Sequence, residues 1–501
     1  MHLLRVQVPD FRGLKNIDIT FEKDFFPSIF PLGSQNGGGK STLLQLIFVL
    51  LHCSIDDDKK PFLQNLLQGF KISDGEDKRV LAIINIWDGR KTVEIVFWVS
   101  NDAFVKKLLY LDIKDKNVNE DYLGFSCPMQ LKLIENKIAD LESVNNSFQN
   151  ISNRLDAIKN IEDNQERIDR VRREIMFIQQ LISNTENPVL RPVIYSSTNV
   201  SIKEIQNFQD DIKKRLEVVE INLSDLKKKY MKCEETWEKI IEDLKSKNMT
   251  YICNYSSDKT SNNKQDQALL CHSNDIDRNE IEVFLNTLSS KIFLAAPSTQ
   301  IFLFFDKSTR ELLFRSKAEI NQTYSEQLNN SKLKLKNFFT YDFLEVDLLI
   351  ESFKTARDID FKEAIETGEY GNNYQTLVKE LTCLLANKKI NLDKDLSGLT
   401  FKLDNNGETI ELYPEDLSHG ELKRLSIYIW LKSRNIEDAI VLMDEVEIAF
   451  HPDWQYQIIS DLKEWAPSNQ YILATHSYAL CEALTPAHVK EIEPKLIKQE
   501  S

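Results

Sequence analysis

Alternating apolar and polar positions make the first hundred residues strand-rich. His2 to Val8, Lys15 to Phe21 and Ser28 to Leu32 are short β-prone runs parted by turn residues. Arg79 to Trp87 and Lys91 to Ser100 are two more, joined across Asp88-Gly89, a strong hairpin signal. The longest apolar stretch, Leu43 to Leu51, is interrupted only by Gln45 and follows a glycine-rich turn, which predicts a buried helix. Near Gln130 the period changes. Ile134, Ile138, Leu141, Phe148, Ile151, Leu155, Ile158, Ile168, Val171, Ile175, Ile178 and Ile182 recur at three- and four-residue steps. After Asn184 to Pro192 a second series runs from Ile205 to Leu244 and keeps that alternation for about five heptads, with Glu, Lys and Asp between, the pattern of a coiled-coil seam.

Two such helices predict an antiparallel arm roughly 70 Å long at 1.5 Å per residue. The alternative is a pair of amphipathic helices packed on the body. Pro192 to Ser196 is either the tip of that arm or a strand returning to the core. Residues 253–267 are polar and turn-rich and predict an exposed loop. Beyond them, Asp277 to Phe293 and Glu345 to Thr367 predict helices, Ile301 to Phe305 with Glu311 to Phe314 a hairpin, and Leu399 to Leu412 another hairpin around Asn406-Gly407. The pattern divides the chain into an N-terminal lobe (1–129), a helical insertion (130–248), a mixed, mainly helical region (249–396) and a C-terminal lobe (397–501).

The chain has 501 residues, more than one core usually organises, and its 42% hydrophobic and 28% charged content fits a globular protein with long polar helices. A net charge of −15 argues against a chain coated for nucleic acid. Seven scattered cysteines without a C-x-x-C pair predict reduced structural thiols and no zinc knuckle. No apolar run approaches the ~20 residues that span a bilayer, and the N-terminus lacks the design of a secretory signal, so a cytoplasmic location is expected.

Chemistry concentrates at the two ends. In PLGSQNGGGKST, Gly33, Ser34, Asn36, Gly37, Gly38 and Gly39 form a loop between an apolar run and a helix that starts at Lys40-Ser41-Thr42. Backbone amides of such a loop wrap phosphates, and the helix N-terminus adds partial positive charge. Lys40 is expected to reach the β/γ oxygens and the Ser41 hydroxyl to ligate Mg²⁺. One position departs from the P-loop pattern: Ser34 stands where the glycine six before the lysine is usual.

Near the other end, LSHGELKRL opens with Ser418 as a helix cap, while Gly420 and Glu421 complete a segment able to meet a γ-phosphate. Then AIVLMDEVE reads as a buried strand delivering two carboxylates to its carboxyl edge: Asp444 for the Mg²⁺ shell, Glu445 to orient and deprotonate the attacking water, with Glu447 the alternative base. YILATHS is another buried strand, ending in His476, a γ-phosphate hydrogen-bond donor. Each motif alone has a bland reading, as a turn, a cap, an acidic strand end or a buried histidine. Their order along one chain favours a shared site.

Together these motifs resemble the ABC-type ATPase superfamily, in the branch that holds SMC-like and OLD-type ATPases. FRGLKNIDITF is similar to that branch's opening strands, LSHGE to its signature, DEVEIAFHP to its Walker B segment, and His476 to its switch histidine. The resemblance implies an α/β P-loop NTPase head with an inserted antiparallel coiled-coil arm and helical region. It also implies ATP with Mg²⁺, and two heads sandwiching two nucleotides, each P-loop facing Ser418 to Glu421 of another copy. A homodimer or a larger even-numbered assembly is therefore expected. A glutamine on Mg²⁺ and water is implied as well, with Gln130 the positional candidate.

OLD-type nucleases append a TOPRIM domain, and this chain stops shortly past His476. The expected nuclease is thus a separate subunit. A mid-sized ATPase of this kind is similar to those of Septu-type anti-phage systems, also found with retrons. There the partner is an HNH nuclease; TOPRIM effectors, a retron reverse transcriptase and its RNA or DNA are the other partners implied. A DNA-repair or DNA-tethering ATPase and a non-hydrolysing ATP-bound scaffold are the competing expectations.

Overall fold

The computed structural model describes residues 1–34, 37–73, 75–110, 124–183, 202–256, 266–276, 280–305, 310, 333–341, 346–385, 387–393, 395–396, 398–405 and 408–492. Contacts divide the chain into two units: Met1–Asn101 with Leu244–Ser501, and Asp102–Asp243 between them.

The first unit is built on two six-stranded sheets. One is antiparallel, in the order β2-β1-β4-β5-β7-β6, from β1 (His2–Phe11), β2 (Leu14–Thr20), β4 (Lys78–Trp87), β5 (Thr92–Asn101), β6 (Met249–Ser256) and β7 (Asp266–His272). The predicted Asp88-Gly89 hairpin is the β4–β5 pair, with Trp87 opposite Thr92. The other sheet is parallel, in the order β15-β3-β14-β13-β8-β9, from β3 (Ile29–Gly33), β8 (Ile292–Ala296), β9 (Phe338–Thr340), β13 (Ile440–Asp444), β14 (Gln470–Thr475) and β15 (Lys490–Glu491). A small antiparallel sheet joins β10 (Lys388–Leu392), β11 (Leu399–Asn405) and β12 (Glu408–Leu412), with Asn405 opposite Glu408; the turn residues 406–407 lie outside the described residues.

Strand alternation gives the parallel sheet two apolar faces. Ile440, Leu442, Ile472 and Ala474 face the P-loop helix Lys40–Cys53 and the antiparallel sheet, in one core. Val441, Met443, Tyr471 and Leu473 face the other way, toward the helices His419–Ser433 and Pro452–Trp465. The P-loop helix is enclosed almost all round, which explains its unbroken apolar run. Gln470 ties the layers together: its side chain accepts from Leu3 N (2.6 Å) and donates to Leu3 O (2.9 Å).

Region 249–396, expected to be mixed and mainly helical, combines helices with strands that join the sheets of both lobes. Its strands β6 and β7 complete the antiparallel sheet, and β8 and β9 extend the parallel one. The two ends of the expected 253–267 loop, 253–256 and 266–267, are therefore strand, and residues 257–265 lie outside the described residues. Helices do occupy Ile281–Lys291 and Val346–Thr367. The predicted hairpin at Ile301 to Phe305 is instead a 3₁₀ segment, Ser298–Phe304, and its second half lies outside the described residues.

In the second unit three helices replace the expected two-helix seam: Cys127–Lys159, Asn164–Ser183 and Ile202–Ser246, whose last turn passes into the first unit. One core contains Phe148, Ile151 and Leu155 of the first helix, Ile168 and Val171 of the second, and Ile205, Phe208 and Ile212 of the third. The chain reverses at Asn160–Asp163 because Asp163 Oδ1 accepts from Gln165 N (2.7 Å) and starts a new helix. Arg154 then pairs back onto Glu174 (2.9 Å). The third helix runs antiparallel to the first, Gln209 donating to Asp156 (2.8 Å) and Lys227 pairing with Glu142 (2.7 Å). The Pro192 segment lies outside the described residues. No described helix is long and apolar enough to cross a membrane.

Candidate nucleotide site

Three neighbouring parallel strands, β3, β14 and β13, end on the same edge, with Gly33 opposite Thr475 and Asp444 opposite Ala474. Ligands of open parallel sheets bind outside that edge. Here it collects residues from both ends of the chain. Lys40 Nζ lies 3.4 Å from His476 Nδ1, and Ser41 Oγ donates to Asp444 Oδ1 (3.0 Å), although 436 and 403 residues separate the partners. Thr42 follows on the same helical turn.

The loop between β3 and the helix bends through left-handed backbone at Gly37 (φ +80°) and Gly39 (φ +89°). The left-handed backbone favours glycine at Gly39, and a Cβ there would also stand 2.6 Å from Leu14 Cδ2, so that methyl would have to move. Gly38 belongs to the same turn, and Asn36 lies outside the described residues. Ser34, the departure from pattern, has a use: its carbonyl and its hydroxyl oxygen each accept from Lys40 Nζ at 3.0 Å.

Electrostatics single out Asp444. Burial pushes its carboxyl up to about 7, with the Ser41 hydrogen bond opposing and Glu445 and Glu447 adding to the rise. Burial also pulls the Lys40 ammonium down, partly offset by Asp444, Glu447 and Glu445. Asp444 Oδ2 is buried without a hydrogen-bond partner, as is Glu447 Oε2. An orphaned carboxylate oxygen beside the Ser41 hydroxyl is the hard-oxygen set that suits Mg²⁺, which keeps waters and phosphate oxygens for the rest of its shell. These residues fit the ion.

Glu445 leaves β13 at φ +52°, its amide donating to Ala474 O (2.9 Å), and Ala449 is also left-handed (φ +71°). The turn between them, with Glu447, Gln455, His476 and Ser477, lines an open cavity of about 640 Å³. Glu447 Oε1 accepts from His476 N (2.7 Å), which fixes the backbone of the histidine. Glu447, offered by the sequence as the alternative base, therefore also holds the backbone of His476.

Ser418 caps the helix His419–Ser433 in a reciprocal box. Glu421 N donates to Ser418 Oγ (3.3 Å), and Glu421 Oε2 accepts from Ser418 N (3.0 Å). Burial pushes Glu421 up, but an ion pair with Lys388 and the Ser418 hydrogen bonds outweigh it and leave the carboxyl below its ordinary range. Glu421 is thus engaged inside its own chain, holding Ser418. Ser418, His419 and Gly420 line a second cavity of about 410 Å³ with Ala449, His451 and Trp454. A Cβ on Gly420 would meet Ala449 O at 2.9 Å.

Gln130 belongs to a different unit from this edge. It sits on the first turn of the helix Cys127–Lys159, in the other unit, with its side-chain nitrogen 3.4 Å from Ser126 Oγ. Within the first unit the glutamine against the P-loop helix is Gln300, hydrogen-bonded to Gln45 one turn past Ser41. It follows β8, the strand beside β13. The apolar run IFLAA before Pro297 was the available signal, hidden in a region read as helical.

Residues 283–482 match the family model described as "AAA domain, putative AbiEii toxin, Type IV TA system". The chain is similar to "Retron Vc95 probable ATPase" of Vibrio cholerae serotype O1 biovar El Tor, at 26% identity over 36% of this chain. The match spans 42% of that protein's length. Among solved structures it is similar to the Smc head domain with an extended coiled coil, bound to the C-terminal domain of ScpA, from Pyrococcus furiosus. That match has a TM-score of 0.30 and 13% identity, and covers 96% of this chain and 91% of the other. The Smc head domain with a coiled coil and joint from Pyrococcus yayanosii gives 0.29 and 13%, covering 96% and 93%.

Proposed function

We propose that this chain is the ATP-binding and ATP-hydrolysing subunit of a bacterial anti-phage complex, and that its nucleotide state regulates a separate nuclease. The observation that carries the ATPase reading is the meeting of Lys40 and Ser41 with His476 and Asp444 on one sheet edge. The AAA-domain match over the residues that hold β8, β13 and β14, and the likeness to a retron ATPase, support it.

In this reading the amides of the Gly37–Gly39 turn and the Lys40 ammonium bind the β- and γ-phosphates. Lys40 moves from Ser34 onto phosphate oxygens as the nucleotide enters. Asp444 and Ser41 hold Mg²⁺, which when bound neutralises charge on the transferring phosphoryl group. Glu445 orients the attacking water and accepts its proton, and His476 donates to the γ-phosphate. Gln300, against the P-loop helix, takes the role of the glutamine that the resemblance implies on Mg²⁺ and water. Ser418 and Gly420 meet the nucleotide of a second copy, which makes the active form a homodimer or a larger even-numbered assembly. The effector is an HNH nuclease, with a TOPRIM nuclease or a retron reverse transcriptase and its nucleic acid as the other partners to test.

Glu445→Gln is the experiment. It is expected to keep MgATP affinity within about threefold, cut turnover at least about a hundredfold, and accumulate an ATP-dependent dimer visible by light scattering. Retained turnover would remove Glu445 as the base and shift the role to Glu447. A second reading, an ATP-bound scaffold that does not turn over, draws on the two Ser34 bonds that hold Lys40 back. Tight ATP binding with no phosphate release from the wild type would favour it.

A further inference from the structure

Lys423 lies two residues past Glu421 on the helix that starts with the signature segment, and it is only 6% exposed. Its ammonium donates to Glu445 O (2.9 Å) and Ile448 O (3.2 Å), and sits 4.2 Å from the centroid of the Tyr341 ring and 5.6 Å from that of Phe450. Tyr341 is itself buried, and its hydroxyl lies 2.8 Å from both Asp444 O and Ala295 O. The carbonyls that Lys423 holds belong to the turn that leaves β13. That turn carries two non-glycine residues, Glu445 and Ala449, in left-handed backbone. Such conformations persist only where the surroundings over-determine them. A buried ammonium is costly unless satisfied, and here carbonyl oxygens and two ring faces satisfy it.

We propose that Lys423, seated on Tyr341, is a positioning residue that locks the Glu445–Ala449 turn and so fixes where the Glu445 carboxylate stands relative to Asp444. Because the same helix begins at Ser418, a shift of that end on meeting nucleotide is transmitted through Lys423 to the turn. The catalytic consequence rests on the ATPase reading above; the locking itself does not.

Lys423→Met keeps the aliphatic stem and removes the three donors. Two readouts are taken on the full chain. The kcat for ATP is expected to fall roughly a hundredfold, as for a catalytic group misplaced by about 1 Å, with KM within about threefold. Amide hydrogen exchange over residues 445–450 is expected to accelerate at least about tenfold while β14 is unchanged. Wild-type kcat with wild-type exchange overturns the proposal, and so does lost turnover with unchanged exchange. If the variant does not fold by its thermal melt, Lys423→Gln decides. It keeps a polar but shorter side chain that cannot reach both Glu445 O and Ile448 O, and faster exchange at 445–450 supports the lock, whereas unchanged exchange overturns it. Should the wild type neither bind nor hydrolyse ATP, the ATPase reading falls, and the exchange measurement still decides on Lys423.

Discussion

Gly39 carries more information than any other glycine of the phosphate loop. A side chain there would meet left-handed strain and the Leu14 methyl together, so Gly39→Ala is expected to lose about 1–3 kcal/mol of stability, read by urea unfolding, and most ATP affinity. Asp444 gives a second residue-level expectation. With its carboxyl pushed up to about 7, Mg²⁺ must displace a proton, so apparent MgATP affinity is expected to weaken about tenfold per pH unit below about 7 and to level off above it. Asp444→Asn should abolish that step along with tight binding. Without ligand the same carboxyl acts on folding with the opposite sense: protons bind the native state more tightly, so stability falls as pH rises from 3.8 toward about 7. Lys40, Ser41, Asp444 and His476 were legible because their residue types stand where a phosphate site would use them, the first two opening a helix after a glycine loop and the last two at strand ends. Gln300 was not, because a glutamine has no signature until the strand before it is recognised. Lys423 was invisible for a similar reason: a lysine on a helix looks solvated until the helix is seen to be buried.

At the level of elements, strands with turn chemistry between them read directly, as β4 and β5 do across Asp88-Gly89. Short buried strands of the parallel sheet, such as β8 and β9, did not, since runs of three to five residues fit a helix equally well. The three-helix insertion turned on one overlooked cap. Asp163 with Glu166 three residues on is a helix-start pattern inside the first series of three- and four-residue steps. The helices over the second face of the parallel sheet are fastened by Arg424, which forks onto Asp461 at 2.6 and 2.9 Å in a buried bidentate pair. Burial raises the Asp461 carboxyl and Arg424 opposes that rise. Asp461→Ala would strand the guanidinium, and a loss of about 3–5 kcal/mol in chemical denaturation is expected. A loss below about 1 kcal/mol would mean that water reaches Arg424.

Taken whole, the chain closes on itself. β3 from its beginning lies beside β14 from its end, Leu3 is hydrogen-bonded to Gln470, and the helical unit is an excursion between Asn101 and Leu244. The edge so formed brings Lys40 and Ser41 against His476 and Asp444; the groups proposed to come from a second copy lie apart from it. Ser418→Arg is accordingly expected to leave ATP affinity within about threefold while reducing turnover at least about a hundredfold, measured by phosphate release. Calorimetric titration of MgATP into the wild type and Lys40→Ala at pH 7 tests the central claim most directly. Saturable binding by the wild type with proton release, weakened at least about a hundredfold in the variant, is the predicted result. Equal affinities in the two proteins would contradict it.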